Sequence, residues 1–478
     1  MSHSAFDSNS LPGFSRRGFL KAAGAAAMLP ATSRWAEGRP PASDRVTMGV
    51  IGWGEIGPSN TKALLSYADC QIVAACDLDG DRLATATGVI NTHYGNKDCR
   101  MYRDYHELLD RDDIDAVMIA VPDHNHALLA IDAANAKKDV YGEKPLARTI
   151  AEQQAIVRAA ERNNIIWQMG SWQRSYPNFH KAAEIVRNGL IGNVTRVEVG
   201  LPTGPKGFAG AWATKLQAKL ATVPGVSVAS PYEILPGTAA WDAAVDAAPP
   251  QLDYETWMGP SQREAYIEAR THDDWRWNYN TGGGPLMDWI GHHGDIAHWG
   301  LGFDATGPSE IEGHGEFPSQ LAIWNTSSKY KIECTYRKEV TGYPVDLVIT
   351  IAGGYPEITS GTKWYGTDGW VWVDRGKFDA SNKDWVPMVS LSDDLRKTKL
   401  YESVEHRRNF LDCVKSRKPT ITPAATGHHS TIPGHLGLIS MLVGRKIYWD
   451  PVHEIILNDW FAGNLLSRPY REPYKLLS

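Results

Sequence analysis

Three short clusters carry residues whose types and spacing suit proton and hydride chemistry. The run YGEKP (Tyr141–Pro145) ends a predicted strand and presents Glu143 and Lys144. A partly desolvated ammonium at such a strand end can hold a substrate hydroxyl and tune its proton. The second cluster is GGGPLMDWIGHHGDIAHWGLG (Gly282–Gly302), a glycine loop followed by a predicted helix from Pro285 to Gly300 or Gly302. Asp288 and His292 are four residues apart, hence neighbours on one helical face, and Asp295 and Trp299 continue that face. A carboxylate beside an imidazole suits the movement of one proton while hydride leaves the adjacent carbon. His293 is turned about 100° away, so His292 is the expected proton carrier. Asp288, His292, His293 and His298 crowd together, but their spacing matches no HExxH pattern and no metal is expected. The third cluster, AVPDHNHA (Ala120–Ala127), lies past the carboxyl end of a predicted parallel strand, the usual ligand crevice of such sheets. Pro122, Asp123, His124 and His126 either line the nicotinamide side of a cofactor or cap their own loop.

Those side chains need a partner that accepts hydride, and the chain supplies a place for one. VIGWGEIG (Val50–Gly57) puts Gly52, Gly54 and Gly57 at GxGxxG spacing between a strand and a helix, with Glu55 and Ile56 in the turn. The first glycine allows the tight turn, the second lets backbone approach a pyrophosphate, and the third lets the helix pack close. Asp77 stands twenty positions past Gly57, at the end of the second strand. A carboxylate there binds ribose hydroxyls and repels a 2′-phosphate, which points to NAD over NADP. Arg82 is the residue of this region that would serve NADP.

Positioning these groups requires a doubly wound sheet. Val46–Ile51 reads as the first strand, Ser59–Ala68 as a helix and Cys70–Asp77 as the second strand. A helix at Tyr105–Leu109, a strand at Asp115–Pro122, a strand opening at Asp139, a helix at Ile150–Asn163 and a strand at Ile165–Gly170 follow. Strands separated by helices predict a parallel α/β sheet over 44–168. Beyond it, Val194–Gly200 and Tyr330–Tyr336 alternate in hydropathy, and Lys363–Asp374 reads as a hairpin turning at Asp368-Gly369. That pattern predicts a second α/β domain over 169–478, built on a large, mostly antiparallel open sheet with one covered face. Residues 201–260 are rich in Pro, Gly and Ala with little periodicity, and irregular chain of that length is usually functional.

The composition of the 478 residues, 42% hydrophobic and 22% charged, is that of a water-soluble globular chain. A net charge of -6 gives no basic excess for nucleic acid or an anionic membrane. Five cysteines without metal or disulfide spacing are expected to be buried as small hydrophobes. Residues 1–43 read as an export signal and linker: SRRGFLK (Ser15–Lys21) precedes a small-residue apolar run ending near Pro30, as in twin-arginine signals. That run is short of the roughly 18–20 residues that span a bilayer, so cleavage is expected over anchoring. The expected location is the periplasm, reached through the twin-arginine export machinery.

GxGxxG with its following acid, EKP, and GG…DxxxHxxD together resemble the glucose–fructose oxidoreductase and inositol dehydrogenase (Gfo/Idh/MocA) family. HRRNFLDCVKSRKP (His406–Pro419) is similar to the corresponding stretch of exported members. The resemblance covers nearly all of the chain after residue 45. It implies a Rossmann domain followed by an α/β domain whose open sheet serves oligomer contacts, in a dimer or tetramer. It also implies that Lys144 binds the reacting hydroxyl, Asp288 orients it and His292 acts as general acid/base. His293 beside His292 departs from the commonest pattern and leaves two imidazoles to choose between.

Two polar-aromatic stretches flank the expected site. Trp172, Gln173, Arg174, Tyr176 and His180 in one, and Trp275 and Trp277 in the other, offer flat faces and hydrogen bonds to a carbohydrate or polyol, with His293 near them. The reading is an NAD-dependent oxidoreductase acting on a sugar, glycoside or polyol hydroxyl. Free cofactor is scarce outside the cytoplasm, so an exported enzyme of this kind is expected to hold and recycle its own. An NAD-dependent glycoside hydrolase, using transient oxidation and elimination, is the alternative within the enzyme class. A carbohydrate-binding protein that keeps the fold is the alternative outside it.

Overall fold

A computed structural model describes residues 41–476 of the chain. The twin-arginine segment lies outside them. The first sheet consists of β1 (Val46–Ile51), β2 (Cys70–Cys76), β3 (Arg100–Tyr102), β4 (Ala116–Ile119), β5 (Asp139–Gly142) and β6 (Trp167–Met169). Its order is β3-β2-β1-β4-β5-β6, and every pairing is parallel. The strand order reverses between β1 and β4, and the crevice outside the carboxyl ends there is the ligand site of such sheets.

Local chemistry sets the boundaries. The first helix runs Gly57–Leu65, earlier than expected, because it starts on the third glycine of the loop and tolerates Pro58 in its first turn. The Gly80–Tyr94 helix is capped by the Asp79 carboxylate and ends on Gly95 at φ 68°. Thr149 caps the Ile150–Asn163 helix through the Glu152 N–H.

The second sheet has nine strands: β7 (Val194–Leu201), β8 (Glu310–Glu316), β9 (Lys329–Tyr336), β10 (Leu347–Gly353), β11 (Gly361–Gly366), β12 (Trp370–Asp374), β13 (Lys377–Ala380), β14 (Ile447–Asp450) and β15 (Ile455–Leu457). In the order β13-β12-β11-β7-β10-β9-β8-β14-β15, the β7–β10 pair alone is parallel. Alternate residues such as Tyr330, Ile332, Cys334 and Tyr336 are buried, joining Phe179, Ile296 and Leu436 from helices on that face. The opposite face carries Lys331, Glu333, Lys363 and Tyr365, none of them buried, and is left uncovered by those helices. The hairpin expected at Asp368-Gly369 joins β11 to β12, with the Gly366 N–H donating to the Gly369 carbonyl at 2.8 Å.

Segment 201–260 is more ordered than its composition suggests. It contains helices at Ala211–Leu220, Ala239–Ala244 and Tyr254–Met258. Phe208, Leu216, Ile267 and Trp324 give it a small core of its own. It also reaches the first domain: the Gly80 N–H donates to the Gln251 carbonyl at 2.9 Å, and Asp79 pairs with Leu252. All five cysteines are buried thiols. No helix of the described residues is long and apolar enough to cross a membrane.

Candidate active site

The turn after β1 fits a dinucleotide on steric grounds. Gly52 sits at φ 95°, and a Cβ there would lie 2.3 Å from the Ala120 carbonyl oxygen. A Cβ on Gly57 would come equally close, 2.3 Å, to the Gly52 carbonyl oxygen. At Gly54 the nearest atom is Arg82 Nη1 at 3.6 Å, so this side of the loop is open where a pyrophosphate would approach. The Asp77 carboxylate closes the adenosine end, accepting from the Trp53 N–H at 2.7 Å and the Asp79 N–H at 2.9 Å. Arg82 donates to the Trp53 carbonyl and lies 3.9 Å from Asp79, so acids compete for the cation that would serve a 2′-phosphate. Glu55 is exposed and Ile56 half-buried at the head of the first helix.

The three expected catalytic residues converge next to this turn. Lys144, just past β5, donates from Nζ to the Asp288 carboxylate at 2.7 Å and to the Asp288 carbonyl at 2.8 Å. A Cβ on Gly291 would lie 3.3 Å from Lys144 Cβ, so the His292 segment packs directly on the lysine. That segment is not one regular helix. An α-helix at Gly284–Trp289 passes into a π-helical turn at Ile290–Gly294, then an α-helix at Asp295–Leu301. π-turns of this kind re-aim side chains and are frequent at functional sites. Asp288 and Asp295 therefore do not share the continuous face that regular spacing predicts.

The π-turn buries both histidines in different surroundings. His293 packs among Phe179 and Trp289, 3.2 Å from Gln173 Nε2 and 3.5 Å from the Asp374 carboxylate. His292 meets the edge of Trp289 and keeps a buried Nδ1 without a hydrogen bond among the described residues. Burial, followed by the charges of Lys144 and Arg375, holds His292 well below the ordinary histidine pKa. Burial alone would raise Asp288, but Lys144 and Arg276 outweigh it and hold the carboxyl well below the usual range. Asp123, buried at the mouth of β4, is pushed up to about 7 by burial and then by Asp288. The site thus holds an ammonium, an ionised carboxylate and a neutral imidazole side by side.

Arg276 completes this arrangement and was not among the residues expected from sequence. It reaches Asp288 at 3.2 Å, Asp273 at 2.6 Å and Glu55 of the glycine turn at 3.4 Å. The one signal available was its place between two tryptophans in THDDWRWNY.

Other expected contacts are directed elsewhere. His126 is fixed by the Pro145 and Val121 carbonyls, and His124 lies 2.7 Å from the Trp257 carbonyl; both are loop-cap arrangements. Pro122 opens that short turn. Glu143 is buried against Asn60 of the first helix. Arg174, expected on a sugar, is buried in ion pairs of 2.7 Å with Asp295 and Asp304, which engage all three of its nitrogens. Trp275 packs with Leu252 and Trp257, and Trp277 with Trp324, so both serve apolar clusters rather than an open face. Trp172 lies under the Arg407 guanidinium at 4.5 Å, His180 sits 3.7 Å from Glu184, and Tyr176 is exposed.

Residues 46–171 match the oxidoreductase family, NAD-binding Rossmann fold, of the Gfo/Idh/MocA type. Residues 236–341 and 367–476 match the C-terminal alpha/beta domain of the same family. The chain is 32% identical over 160 residues to a myo-inositol 2-dehydrogenase of Thermotoga maritima, covering 33% of this chain and 46% of the relative. It is 31% identical over 208 residues to a glycosyl hydrolase family 109 protein of Shewanella pealeana, covering 38% and 45%. The matched region thus spans about half the length of these curated relatives. In fold the chain is similar to the WlbA dehydrogenase of Bordetella pertussis, solved with NADH and UDP-GlcNAcA. That likeness has a TM-score of 0.57 at 15% identity, over 85% of this chain and 99% of the other.

Proposed function

We propose that this chain, which belongs to the Gfo/Idh/MocA oxidoreductase family, is an NAD-dependent oxidoreductase acting on a sugar, glycoside or polyol hydroxyl. The observation that carries the reading is the contact of Lys144 with Asp288 beside a neutral His292, at the carboxyl edge of a sheet whose glycine turn fits NAD. The bound nicotinamide supplies the hydride acceptor. Lys144 Nζ, held at Asp288, donates a hydrogen bond to the substrate oxygen and favours its alkoxide character. His292 carries a free imidazole lone pair at neutral pH and takes the hydroxyl proton. Asp288 holds Lys144 in place, and Arg276 ties this pair to the glycine turn.

The cofactor is retained and recycled, so that the hydride returns to a second sugar or to an oxidised intermediate. Support comes from segment 201–280, which touches the nucleotide-binding edge at two points. Gln251–Asp253 pair with Leu78–Gly80 beside Asp77, and Arg276 meets Glu55 beside Gly54. In the test, a first sugar is added to the purified protein without free NAD, and 340 nm absorbance is followed. A rise of about one equivalent that a second sugar reverses supports the cycle; turnover that depends on added NAD refutes retention.

A glycoside hydrolase reading is favoured by the Shewanella relative. The same lysine and histidine would serve transient oxidation of a ring carbon, elimination of the aglycone, addition of water to the resulting double bond and re-reduction of the ketone, with no net redox change. Release of a chromogenic aglycone without added NAD selects this reading. We further propose export by the twin-arginine route to the periplasm, on the strength of Ser15–Lys21. Replacing Arg16-Arg17 by Lys-Lys should abolish it, and unchanged export would refute it. A homo-oligomer, dimer or tetramer, is supported by the uncovered face of the nine-stranded sheet.

A further inference from the structure

We propose that His428, His429 and Glu454 form a binding site for one divalent transition-metal ion of the zinc class, separate from the candidate active site. The three side chains bring their ligand atoms within 4.8 Å of one another. His428 and His429 lie near the start of the Ala424–Val443 helix, and Glu454 lies in the turn from β14 to β15. Glu454 holds a left-handed backbone, φ 54°, in presenting its carboxylate to the helix.

A chain of hydrogen bonds fixes the state of His428. His435 turns its Nε2 toward the side-chain amide of Gln153. Gln153 Nε2 lies 2.8 Å from that atom and must be the donor. Its second hydrogen goes to Thr431 Oγ1 at 2.9 Å, whose own hydrogen is given to the Gly427 carbonyl. Gln153 Oε1 therefore accepts from His428 Nδ1 at 2.9 Å, so the proton of a neutral His428 is on Nδ1. His428 Nε2 then turns a lone pair toward Glu454 Oε1 at 2.9 Å. Two lone pairs at that distance need a cation between them, either a proton or a metal ion.

His429 decides between the two. Its Nδ1 is buried and has no hydrogen-bond partner among the described residues. A shared proton leaves this imidazole unused, whereas a metal ion engages all three side chains.

Two imidazoles and a carboxylate suit zinc better than magnesium or calcium, which take oxygen ligands. Tetrahedral bonds of about 2.0–2.2 Å place ligand atoms about 3.3–3.6 Å apart, so the His428–Glu454 pair at 2.9 Å would open slightly and His429 would draw in, with water in the fourth position. The second shell is already built: Gln153 orients His428, and Gln154 donates to Glu454 Oε2 at 2.6 Å. Both glutamines belong to the Ile150–Asn163 helix. The ion would thus staple that helix to the Ala424–Val443 helix and the β14–β15 turn.

The test uses untagged full-length protein, treated with chelator, dialysed and titrated with Co(II). The expected result is one equivalent bound with the visible absorption of tetrahedral cobalt, displaced by Zn(II). His429→Ala and Glu454→Gln should each weaken binding at least tenfold while circular dichroism and bound-nucleotide content stay unchanged. No Co(II) or Zn(II) bound by the unmutated protein would overturn the proposal. So would undiminished binding by a folded His429→Ala protein, which would make the His428–Glu454 contact a plain ion pair.

Discussion

Lys144 donates two hydrogen bonds to Asp288, one to the carboxylate and one to the carbonyl, so its side chain is aimed before any substrate arrives. Lys144→Ala and His292→Ala should each lower kcat/KM by about 10²- to 10⁴-fold while NAD still binds, measured by steady-state rates and cofactor titration. Near-normal turnover by both would remove them from the chemistry. Because His292 is held well below 6.5, the imidazole stays neutral through mildly acidic pH, and its loss by protonation should not appear in kcat/KM between about pH 6 and 8. A rate that falls as pH drops through 6.5 would contradict that assignment. At this scale the approach of Lys144 to the Asp288–His292 segment was legible because strand ends and short spacings place these residues, while their roles rest on the proposal above. Arg174, Trp275 and Trp277 were not, since residue type does not say whether a guanidinium or indole faces a ligand or a core. Arg276 escaped because its partners Glu55 and Asp288 are distant in sequence.

The glycine turn, the π-turn and the buried arginine give separable outcomes at the level of elements. Gly54→Ala leaves 3.6 Å to the nearest atom, so it should fold normally yet weaken NAD binding at least tenfold by blocking the pyrophosphate. Gly57→Ala places a methyl 2.3 Å from the Gly52 carbonyl and should lower the melting temperature as well. Equal NAD affinity in Gly54→Ala and the parent would contradict the cofactor placement. Arg174→Ala strands the Asp295 carboxylate in the core and should destabilise the fold by about 3–5 kcal/mol, read by denaturant unfolding. The strands and the Asp368-Gly369 hairpin were readable from alternation and turn chemistry. The three-residue β3 is too short to leave a pattern, and the π-turn at Ile290–Gly294 has no signal beyond its glycines.

Across the whole molecule, segment 201–260, which reads as irregular chain from its Pro, Gly and Ala content, reaches the first domain through Gln251 and Leu252. Its three short helices owe their order to burial of Leu216, Ile267 and Trp324, a tertiary cause invisible to periodicity. Buried neutral histidines make stability depend on pH. His124, His298 and His435 are held down to about 3, and His406 and His272 to about 4, by burial. Asp123 and Asp274, raised by burial to about 7, act the other way over part of the range but are outnumbered. The unfolded chain therefore binds more protons below about 6.5, and stability falls with pH there by about 1.4 kcal/mol per unit for each net proton. Melting temperature should drop steadily from pH 6.5 to 5; a flat profile would show that these imidazoles are already charged in the fold.

Under the proposed function this protein carries its own NAD and recycles it. The most direct measurement is to purify it without added cofactor, denature it and identify the nucleotide released. Near-stoichiometric NAD(H) is the predicted result. Release of NADP(H) would contradict the reading of Asp77, and a protein that emerges empty would contradict retention and the recycling built on it.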